Sequence, residues 1–219
     1  LLYQDMRRVG TQTSESGNLL PTGVQIGSGV RTAATPRIHS QGTLSATEKE
    51  TDVAVRGEGY FRVLLPDGRT AYTRDGSFEL DAKGTLVTAD GWTVDPAITV
   101  PANSSGLTVN AQGVVQVTVG NASAPTTLGQ IQLARFVNKS GLEAIGNNLF
   151  LETASSGAPQ VANPGDEGYG TLLQAHLEAG NVNSVAEISD LIAAQRAYEM
   201  NSRVIRAADE MMSASVSPK

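Results

Sequence analysis

The sequence contains no cysteine, which excludes disulfide bonds, thiolate catalysis and zinc sites built from cysteine ligands. Aromatic residues are scarce, at 5% of the chain, whereas glycine occurs 23 times. This composition predicts short turns and extended segments around a core of modest size. No apolar run is long enough to span a bilayer, and no cleavable signal peptide is visible. The net charge of −6 argues against nucleic acid or an anionic membrane as the partner.

No pattern typical of catalysis or metal binding stands out. His39 and His176 are far apart in sequence and lack the spacing of a helical zinc motif. Gly57 and Gly59 lack the third glycine of a dinucleotide-binding loop, so a tight turn is favoured there. Three aspartates lack the spacing of a calcium loop and are explained as turn residues: Asp75, Asp81 and Asp90. The sequence therefore predicts no enzyme activity, no cofactor and no catalytic or metal-binding residues.

Residues 184–212 carry the clearest periodic pattern, which predicts one long helix with a wide apolar stripe. Large side chains recur every seventh residue at heptad position a, and small ones lie at position d. A further apolar row runs beside them at position g, formed by Ala197, Val204 and Met211. We call the predicted contact residues the assembly seam; they are Ile188, Leu191, Ala194, Tyr198, Asn201, Ile205, Ala208 and Met212.

The ends and the surface of this helix fit the same prediction. Ser184 with Glu187 three residues later reads as a capping box, and Asp190 also suits the positive end of the helix dipole. Glu199 and Arg203 form a favourable i,i+4 pair. At about 1.5 Å per residue, the predicted helix is roughly 43 Å long.

The seam needs a partner. It could dock on the chain's own domain, or it could pair with another helix in an intermolecular or end-to-end contact. Asn201, a polar residue at a d position, would then set the register of a helix pair. Nothing else in the chain offers a second long amphipathic helix, which favours the second interpretation.

The first thirty residues have no regular period. Residues 1–6 look like the end of a helix, whereas residues 9–29 are polar and rich in glycine. An irregular stretch of this length is normally disordered or functional. Its small apolar side chains could anchor it between neighbouring subunits once it orders: Leu19, Leu20, Val24 and Ile26. Residues 30–44 read as extended.

From residue 51 onwards the pattern becomes that of short strands separated by turns. Asp67-Gly68, Asp75-Gly76 and Asp90-Gly91 each indicate a type I′ hairpin turn between extended runs. Predicted strands flank Gly57 and Gly59, and others cover residues 70–74, 77–80, 85–88, 92–94, 107–109, 114–119, 130–136 and 148–152. A weak repeat relates residues 81–87 to residues 110–116. The spacing favours an antiparallel sandwich or barrel-like domain.

The predicted fold is mainly β, with an antiparallel β-domain inserted between terminal segments and a long C-terminal helix. An N-terminal linker, residues 1–30, pairs with the C-terminal part. The β-domain covers residues 31–170 and includes a linker rich in Ser, Gly and Pro at 155–170. A return linker, residues 171–183, leads to a coiled-coil helix at 184–219.

Several stretches together resemble the bacterial flagellar rod and hook protein family. Residues 52–63, DVAVRGEGYFRV, are similar to its D-V-A-x-x-G-x-G-F-F-x-V block, and YTRDGSF at 72–78 is similar to the block that follows. Residues 181–183 and QRAYEMNS at 195–202 resemble its C-terminal helix. Within the family, residues 1–4, LPTGVQIGSGVR at 20–31 and HSQGTLS at 39–45 resemble the distal rod branch rather than the hook.

This resemblance implies a structural subunit that self-assembles into a hollow helical drive shaft, which transmits torque from motor to hook. The family's N-terminal and C-terminal helices pair as a coiled coil, and the N-terminal helix would lie upstream of Leu1. The implied partners are other copies of the chain, proximal rod and hook-family axial proteins, and the surrounding ring proteins. The implied location is the basal body across the periplasm, reached by type III export. The related hook bends, whereas the distal rod is stiff.

Three other interpretations stay open on the sequence alone. The chain could be a hook or proximal rod protein of the same family. It could be a secreted β-domain that binds a ligand, which would need a concave aromatic site around Trp92, the one tryptophan. A hydrolase would need a polar pocket with convergent titratable groups.

Overall fold

The structure is a computed structural model, which describes residues 3–7, 24–27, 37–120 and 124–216. It describes side chains for residues 37–120 and 124–213. The chain divides into two compact units, residues 1–38 and 39–219. Antiparallel strands dominate, and one long helix ends the chain, as the sequence predicted.

The described residues of the first unit form one antiparallel pair. β1 (Tyr3–Arg7) runs beside β2 (Val24–Gly27), with Tyr3 opposite Gly27 and an irregularity between Asp5 and Arg7. The prediction that residues 1–6 end a helix is therefore wrong. Tyr3 and Met6 alternate with polar residues less cleanly than a strand requires, and the pairing with β2 overrides the local pattern.

The second unit contains sixteen strands and the helix α1 (Ser184–Val216) within the described residues. The strands are β3 (Leu44–Ala46), β4 (Val53–Arg56), β5 (Tyr60–Leu64), β6 (Thr70–Thr73), β7 (Phe78–Leu80), β8 (Leu86–Thr88), β9 (Thr93–Val94), β10 (Ser104–Val109), β11 (Val114–Val119), β12 (Thr126–Gln130), β13 (Leu133–Arg135), β14 (Glu143–Gly146), β15 (Leu149–Leu151), β16 (Gln160–Ala162), β17 (Thr171–Gln174) and β18 (His176–Glu178).

β5 is the centre of the largest sheet. Nine strands form this sheet, with the order β14-β15-β6-β5-β9-β8-β7, and β13 joins β5 to β16. β6 pairs along one edge of β5, while β13 and β9 share the other edge, at Phe61 and Val63 respectively. Separate sheets are formed by β10-β11-β12, by β17 with β4, and by β18 with β3. Every one of these described strand pairs is antiparallel.

The main core lies between β5 and the neighbouring sheets. Ten of its twelve buried residues lie in strands, and Ile98 and Ile131 lie between strands. The twelve are Val53, Val55, Phe61, Phe78, Leu86, Val94, Ile98, Val109, Val115, Ile131, Leu133 and Leu172. Phe61 and Phe78 meet edge to face, with ring centroids 5.1 Å apart. Burying a side chain of this size contributes roughly 1.5–3 kcal/mol, so this cluster supplies the domain with a core of its own, without α1.

An aromatic cluster covers the other side of β5. Tyr60 and Tyr72 each meet Phe136 edge to face, and Phe150 meets Tyr60 in the same way. Burial raises the pKa of Tyr72 to about 12, and the nearby Glu152 carboxylate adds to the effect. Burial also raises the pKa of Tyr60. Both phenols therefore stay neutral at physiological pH.

Four turns share one hydrogen-bonding pattern. In each, a glycine with positive φ donates its N–H to the carbonyl three residues earlier, and the strand residues on either side pair. These glycines are Gly68, Gly84, Gly91 and Gly113. The hairpins at Gly68 and Gly91 were predicted from their Asp-Gly pairs. They are three-residue loops with one left-handed glycine, and not type I′ turns, because Asp67 and Asp90 keep negative φ.

The weak sequence repeat corresponds to two matching turns. Asp81 Oδ1 accepts hydrogen bonds from the N–H groups of Lys83 and Thr85, at 2.8 and 2.7 Å. Asn110 Oδ1 accepts in the same way from the N–H groups two and four residues later, at 3.0 and 2.9 Å. The bond from Thr85 lowers the pKa of Asp81. In both turns the side-chain oxygen holds the loop in place.

Asp75-Gly76, by contrast, is not a hairpin turn. β6 and β7 lie far apart in the sheet order and do not pair. The carbonyl of Gly76 accepts a hydrogen bond from the N–H of Val53, at 3.0 Å. A Cβ on Gly76 would lie 1.7 Å from the carbonyl oxygen of Val53. Glycine is needed here for close backbone approach rather than for a turn.

Three other expectations change. The predicted strand at 130–136 is interrupted between β12 and β13, which belong to different sheets. The predicted linker at 155–170 contains β16 and the buried Ser156. Residues 171–183, expected as a return linker, contain β17 and β18, and Leu172 of β17 lies in the main core. Short strands without alternating apolar residues lack the period-2 pattern that identifies a strand, so their composition predicts a linker.

We predict that Gly84→Ala unfolds more easily than Gly68→Ala, which is a matched control. Both glycines have positive φ, +79 and +82, so each substitution costs about 1–2 kcal/mol for the left-handed backbone. A Cβ at position 84 would also lie 2.1 Å from the carbonyl oxygen of Val100, whereas position 68 is open. Urea denaturation measures both free energies of unfolding. Equal losses would contradict the assigned packing.

Candidate assembly surface

The helix α1 begins one residue earlier than a Ser184 cap would require. Asn183 Oδ1 accepts hydrogen bonds from the N–H groups of Val185 and Ala186, at 3.1 and 3.3 Å. Asn183 is therefore the N-cap, and Ser184 is the first helical residue. The predicted capping box between Ser184 and Glu187 is wrong, because asparagine caps a helix as well as serine does.

α1 extends its apolar side chains into solvent. It has 33 residues, about 50 Å at 1.5 Å per residue. Its large apolar side chains are between 44% and 77% exposed. The assembly seam follows this pattern: Ile188, Leu191, Ala194, Tyr198, Asn201, Ile205 and Met212 are exposed, and Ala208 is half-buried. An apolar surface of this extent on a folded chain marks an interaction site.

The structure also shows exposed apolar residues outside the predicted seam. Val185, Ile192 and Met200 are 74%, 44% and 65% exposed. The sequence contained the signal for them, since each lies at a helical spacing from other apolar residues. They lie outside the a and d positions of the heptad register that defines the seam. The predicted pair between Glu199 and Arg203 is present at 3.9 Å, and both side chains are largely exposed.

A clasp of charged and backbone groups fixes the chain where it leaves the β-domain. Arg74 Nε and Nη2 donate to Glu178 Oε2, at 2.9 and 2.7 Å. Arg74 Nη1 donates to the carbonyls of Gly57 and Gly59, both at 2.8 Å. Glu178 Oε1 accepts from the N–H of Gly42, at 2.8 Å. The two side chains are 23% and 12% exposed, so solvent screens the pair only in part.

Neighbouring contacts extend the clasp to the chain that enters the domain. The Gln41 side chain donates to the carbonyl of Val55 at 2.9 Å, and it accepts from the N–H of Gly57 at 3.0 Å. Asn181 Nδ2 donates to the carbonyl and hydroxyl of Ser40. The entering and leaving segments are thus tied to each other and to the turn between β4 and β5. α1 starts from a fixed point on the domain.

The clasp was missed in the sequence. Arg74 lies in the YTRDGSF block, but its partner Glu178 is 104 residues away. Gly42 is also needed for the clasp, because a Cβ there would lie 1.9 Å from the carbonyl oxygen of Ala179. A close backbone approach leaves no trace in the sequence beyond the glycine itself.

The predicted linker anchors are placed only in part. Val24 and Ile26 belong to β2, where Ile26 lies opposite Gln4 of β1. Leu19 and Leu20 lie outside the described residues. The side chains of all four lie outside the described set, so their role as intersubunit anchors stays a prediction.

Both histidines lie beside polar groups of the fold. His39 Nδ1 lies 3.1 Å from the hydroxyl of Tyr60, and His176 Nδ1 lies 2.8 Å from the carbonyl of Gln174. Gly57 and Gly59, both with positive φ, form the expected tight turn. In the part of the chain that the structure describes, His, Asp and Glu form no group of three that could hold a metal ion. No described helix is long and apolar enough to cross a membrane.

Trp92 does not provide an open aromatic platform. A small cleft beside it is also lined by Asp75, Asp90 and Asn147. The Trp92 ring packs against the apolar cluster that contains Val63. The ring is therefore part of the core, which disfavours a ligand-binding β-domain of the kind that stacks sugars or other ligands on aromatic side chains.

Two family models match the regions described above. The model of the flagellar hook protein FlgE/F/G D1 domain matches residues 54–117. The model of the flagellar basal body rod FlgEFG protein C-terminal region matches residues 173–217. The first match covers most of the strands around β5, and the second covers the end of β17, all of β18 and α1. The resemblance noted in the sequence is confirmed over both regions.

Curated relatives match nearly the whole chain. The flagellar basal-body rod protein FlgG of Caulobacter vibrioides is 53% identical over 214 residues, which cover 98% of this chain and 82% of that protein. FlgG of Buchnera aphidicola from Acyrthosiphon pisum is 48% identical, over 97% and 81%. FlgG of Borreliella burgdorferi is 46% identical, over 97% and 80%. The chain therefore belongs to the FlgG family of flagellar basal-body rod proteins.

Proposed function

We propose that the chain is a structural subunit of the flagellar distal rod, which self-assembles into a hollow helical drive shaft and transmits torque from motor to hook. The observation that carries this proposal is α1, a long helix whose apolar side chains face solvent while the β-domain has a complete core of its own. A chain built in this way gains stability when its helix packs against other chains. Membership of the FlgG family supports the same function.

The subunit acts by its shape and its contacts, without catalysis, cofactor or small-molecule substrate. Its partners are other copies of itself, the proximal rod and hook-family axial proteins at the two ends of the shaft, and the ring proteins that surround it. Its place is the flagellar basal body, where the rod spans the periplasm after type III export. The family membership supports these assignments, and each can be tested by isolating basal bodies.

The assembly seam is the surface that we propose to drive polymerisation. Leu191, Tyr198 and Ile205 are exposed along one side of α1. Full burial of such side chains contributes roughly 1.5–3 kcal/mol each. A charge placed among them would have to be buried without a partner, which costs several kcal/mol. The seam is therefore sensitive to single substitutions, although none of them touches the β-domain core.

We predict that Leu191→Asp with Ile205→Asp abolishes rod assembly while the β-domain stays folded. The matched control is Arg196→Gln with Arg203→Gln, which shifts the charge of the same helix by the same amount at heptad position f, on the side away from the seam. The measurement is electron microscopy of basal bodies from bacteria that make each variant as their rod protein, together with swimming motility. Normal rods from the seam variant would show that the seam is not an interface.

We also propose that residues 9–30 wedge between adjacent subunits and block the sliding that bending requires. The β1–β2 pair brings Arg7 and Val24, which flank most of this segment, opposite each other. Leu19, Leu20, Val24 and Ile26 are the proposed anchors. Stiffness of the shaft would then come from added contacts between subunits and not from a stronger β-domain.

Deletion of residues 10–21 is predicted to give curved or flexible rods from subunits of unchanged stability. The deletion leaves residues 8, 9, 22 and 23 between β1 and β2, a loop length that antiparallel strands accept. Replacing residues 10–21 by Gly and Ser at equal length is the control for loop length, and we expect it to bend rods in the same way. Rod curvature by electron microscopy and thermal melting of the subunit give the answer. Straight rods, or a collapse of subunit stability, would contradict the wedge.

A further inference from the structure

The last two strands before α1 belong to two ribbons that meet at Ala175. β17 pairs with β4, and β18 pairs with β3, so the chain changes its partner at this residue. The Ala175 N–H donates to the carbonyl of Asp52, and the Ala175 carbonyl accepts from the N–H of Thr47, both at 2.7 Å. A single residue of one strand therefore faces a loop in the other, residues 48–51. Extra residues in one strand of an antiparallel pair bend the ribbon.

The bend folds the second ribbon back along the first, and we call the second ribbon, β3 with β18, the arm. The base of the arm lies beside Val53, which is opposite Gln174 at the end of β17. Just beyond its tip, the Gln41 side chain contacts the backbone of Val55 and Gly57, at 2.9 and 3.0 Å. β18 also packs beside β4, although its pairing partner is β3. The arm therefore runs back over β4 instead of extending β17.

Core packing does not hold the arm in this position. β4 and β17 supply Val53, Val55 and Leu172 to the main core. Among the described residues, no residue of the arm belongs to any of the three apolar clusters. The residues of β18 are half-buried, and two of the three in β3 are exposed. The position of the arm thus depends on the bend at its base and on the clasp at its tip.

The bend has an unfavourable backbone conformation at its centre. Ala175 has a φ of +54, in the left-handed region where its Cβ crowds the following carbonyl oxygen. An alanine keeps this conformation only where surrounding contacts impose it. At the tip, Arg74 donates two hydrogen bonds to Glu178, while Glu58 of the adjoining turn pairs with Lys139. The contacts of Glu178 therefore oppose the tendency of Ala175 to relax.

We propose that the arm is a hinged strap, which turns about Ala175 and is held closed by the pair between Arg74 and Glu178. β18 leads into α1 through residues 179–183, so the closed arm fixes the direction in which α1 leaves the β-domain. An open arm keeps its own backbone pairing but leaves that direction free. Arg74 and Glu178 are then positioning residues for assembly. This consequence rests on the proposed function, whereas the hinge itself does not.

Distances between two spin labels test the hinge in the whole chain, because a chain without cysteine takes labels only at introduced cysteines. The labels are attached at Ser45→Cys in β3 and Ser105→Cys in β10, both exposed positions. Double electron–electron resonance is expected to give one narrow distance distribution. Glu178→Ala is expected to broaden this distribution. Asp67→Ala, which removes an exposed ion pair with Arg69, is the matched control and is expected to leave it unchanged.

Trp92 provides the check that each variant is folded. It is the one tryptophan and packs against an apolar cluster of the β-domain, so its fluorescence reports on that domain. An unchanged distance distribution in folded Glu178→Ala would overturn the closure of the arm by the clasp. Unfolding of the β-domain in Glu178→Ala would also overturn it, because the arm would then be inseparable from the fold.

A second substitution tests the hinge residue. Ala175→Gly, added to Glu178→Ala, is expected to return the distribution towards the closed distance, because glycine accepts a positive φ without penalty. Asn147→Gly relieves a similar conformation, φ +49, at a turn outside the arm. In the same background it is the control and is expected to change nothing. No return of the distribution with Ala175→Gly would overturn the hinge at this residue.

Rod assembly separates this inference from the proposed function. In cells, Glu178→Ala is expected to lose most rods and swimming motility, whereas Asp67→Ala is expected to assemble and swim normally. Normal rods from a chain with an open arm would overturn the link between the arm and the direction of α1. If Leu191→Asp with Ile205→Asp assembles normally while the label distances behave as expected, the proposed function fails and the hinge stands.

Discussion

The ion pair between Arg74 and Glu178 is the interaction on which the arrangement of the second unit depends. Arg74 makes five hydrogen bonds, to the Glu178 carboxylate and to three carbonyls around the turn after β4. Removing one partner of such a partly buried pair leaves a charge without compensation, which costs roughly 3–5 kcal/mol when burial is complete and less here. The pair holds the segment that leaves the domain beside the segment that enters it.

The clasp also positions the first residues of α1. Asn181 is held by Ser40, and Asn183 then caps α1. β17 and β18 connect this point to β4 and β3 through continuous backbone pairing. A force applied along α1 therefore passes into hydrogen-bonded strands and not into a flexible tether. The drive shaft that we propose requires this property of each subunit, because torque must pass between the helix and the β-domain.

α1 lacks a packing partner for its apolar side chains within the β-domain. An isolated helix is marginal in water, and most helices in proteins are stabilised by packing of an apolar face. The core clusters of the β-domain contain no residue of α1, so the domain does not supply that packing. The exposed apolar side chains of α1 therefore stay available for the assembly contacts that we propose.

Local chemistry made much of this structure predictable. Asp-Gly pairs located the hairpins at Gly68 and Gly91, and the heptads of Leu191 and Ile205 located the helix. The turn at Asn147 was missed, although it has positive φ at both central residues, because Asn-Asn is a weaker signal than Asn-Gly. β16 was missed because a short strand is specified by its distant partners.

Contacts between distant residues set the limit of what the sequence could show. Nothing around Glu178 marks it as the partner of Arg74, and nothing around Gly76 shows that the backbone of Val53 packs against it. The family blocks do contain Arg74 and Gly76, but a motif gives residue identity without geometry. The helix and its row of apolar residues were predictable because a helix surface follows from spacing alone, whereas the clasp depends on how the strands meet.

Hydrogen exchange of the backbone amides tests the central claim most directly, that α1 is completed by other chains. The whole chain is compared as a dilute monomer and in assembled rods. We expect the amides of β5 and its neighbours to be protected in both states. We expect the amides of α1 to exchange rapidly in the monomer and slowly in rods. Amides of α1 that exchange as slowly as those of β5 in the dilute monomer would contradict the account.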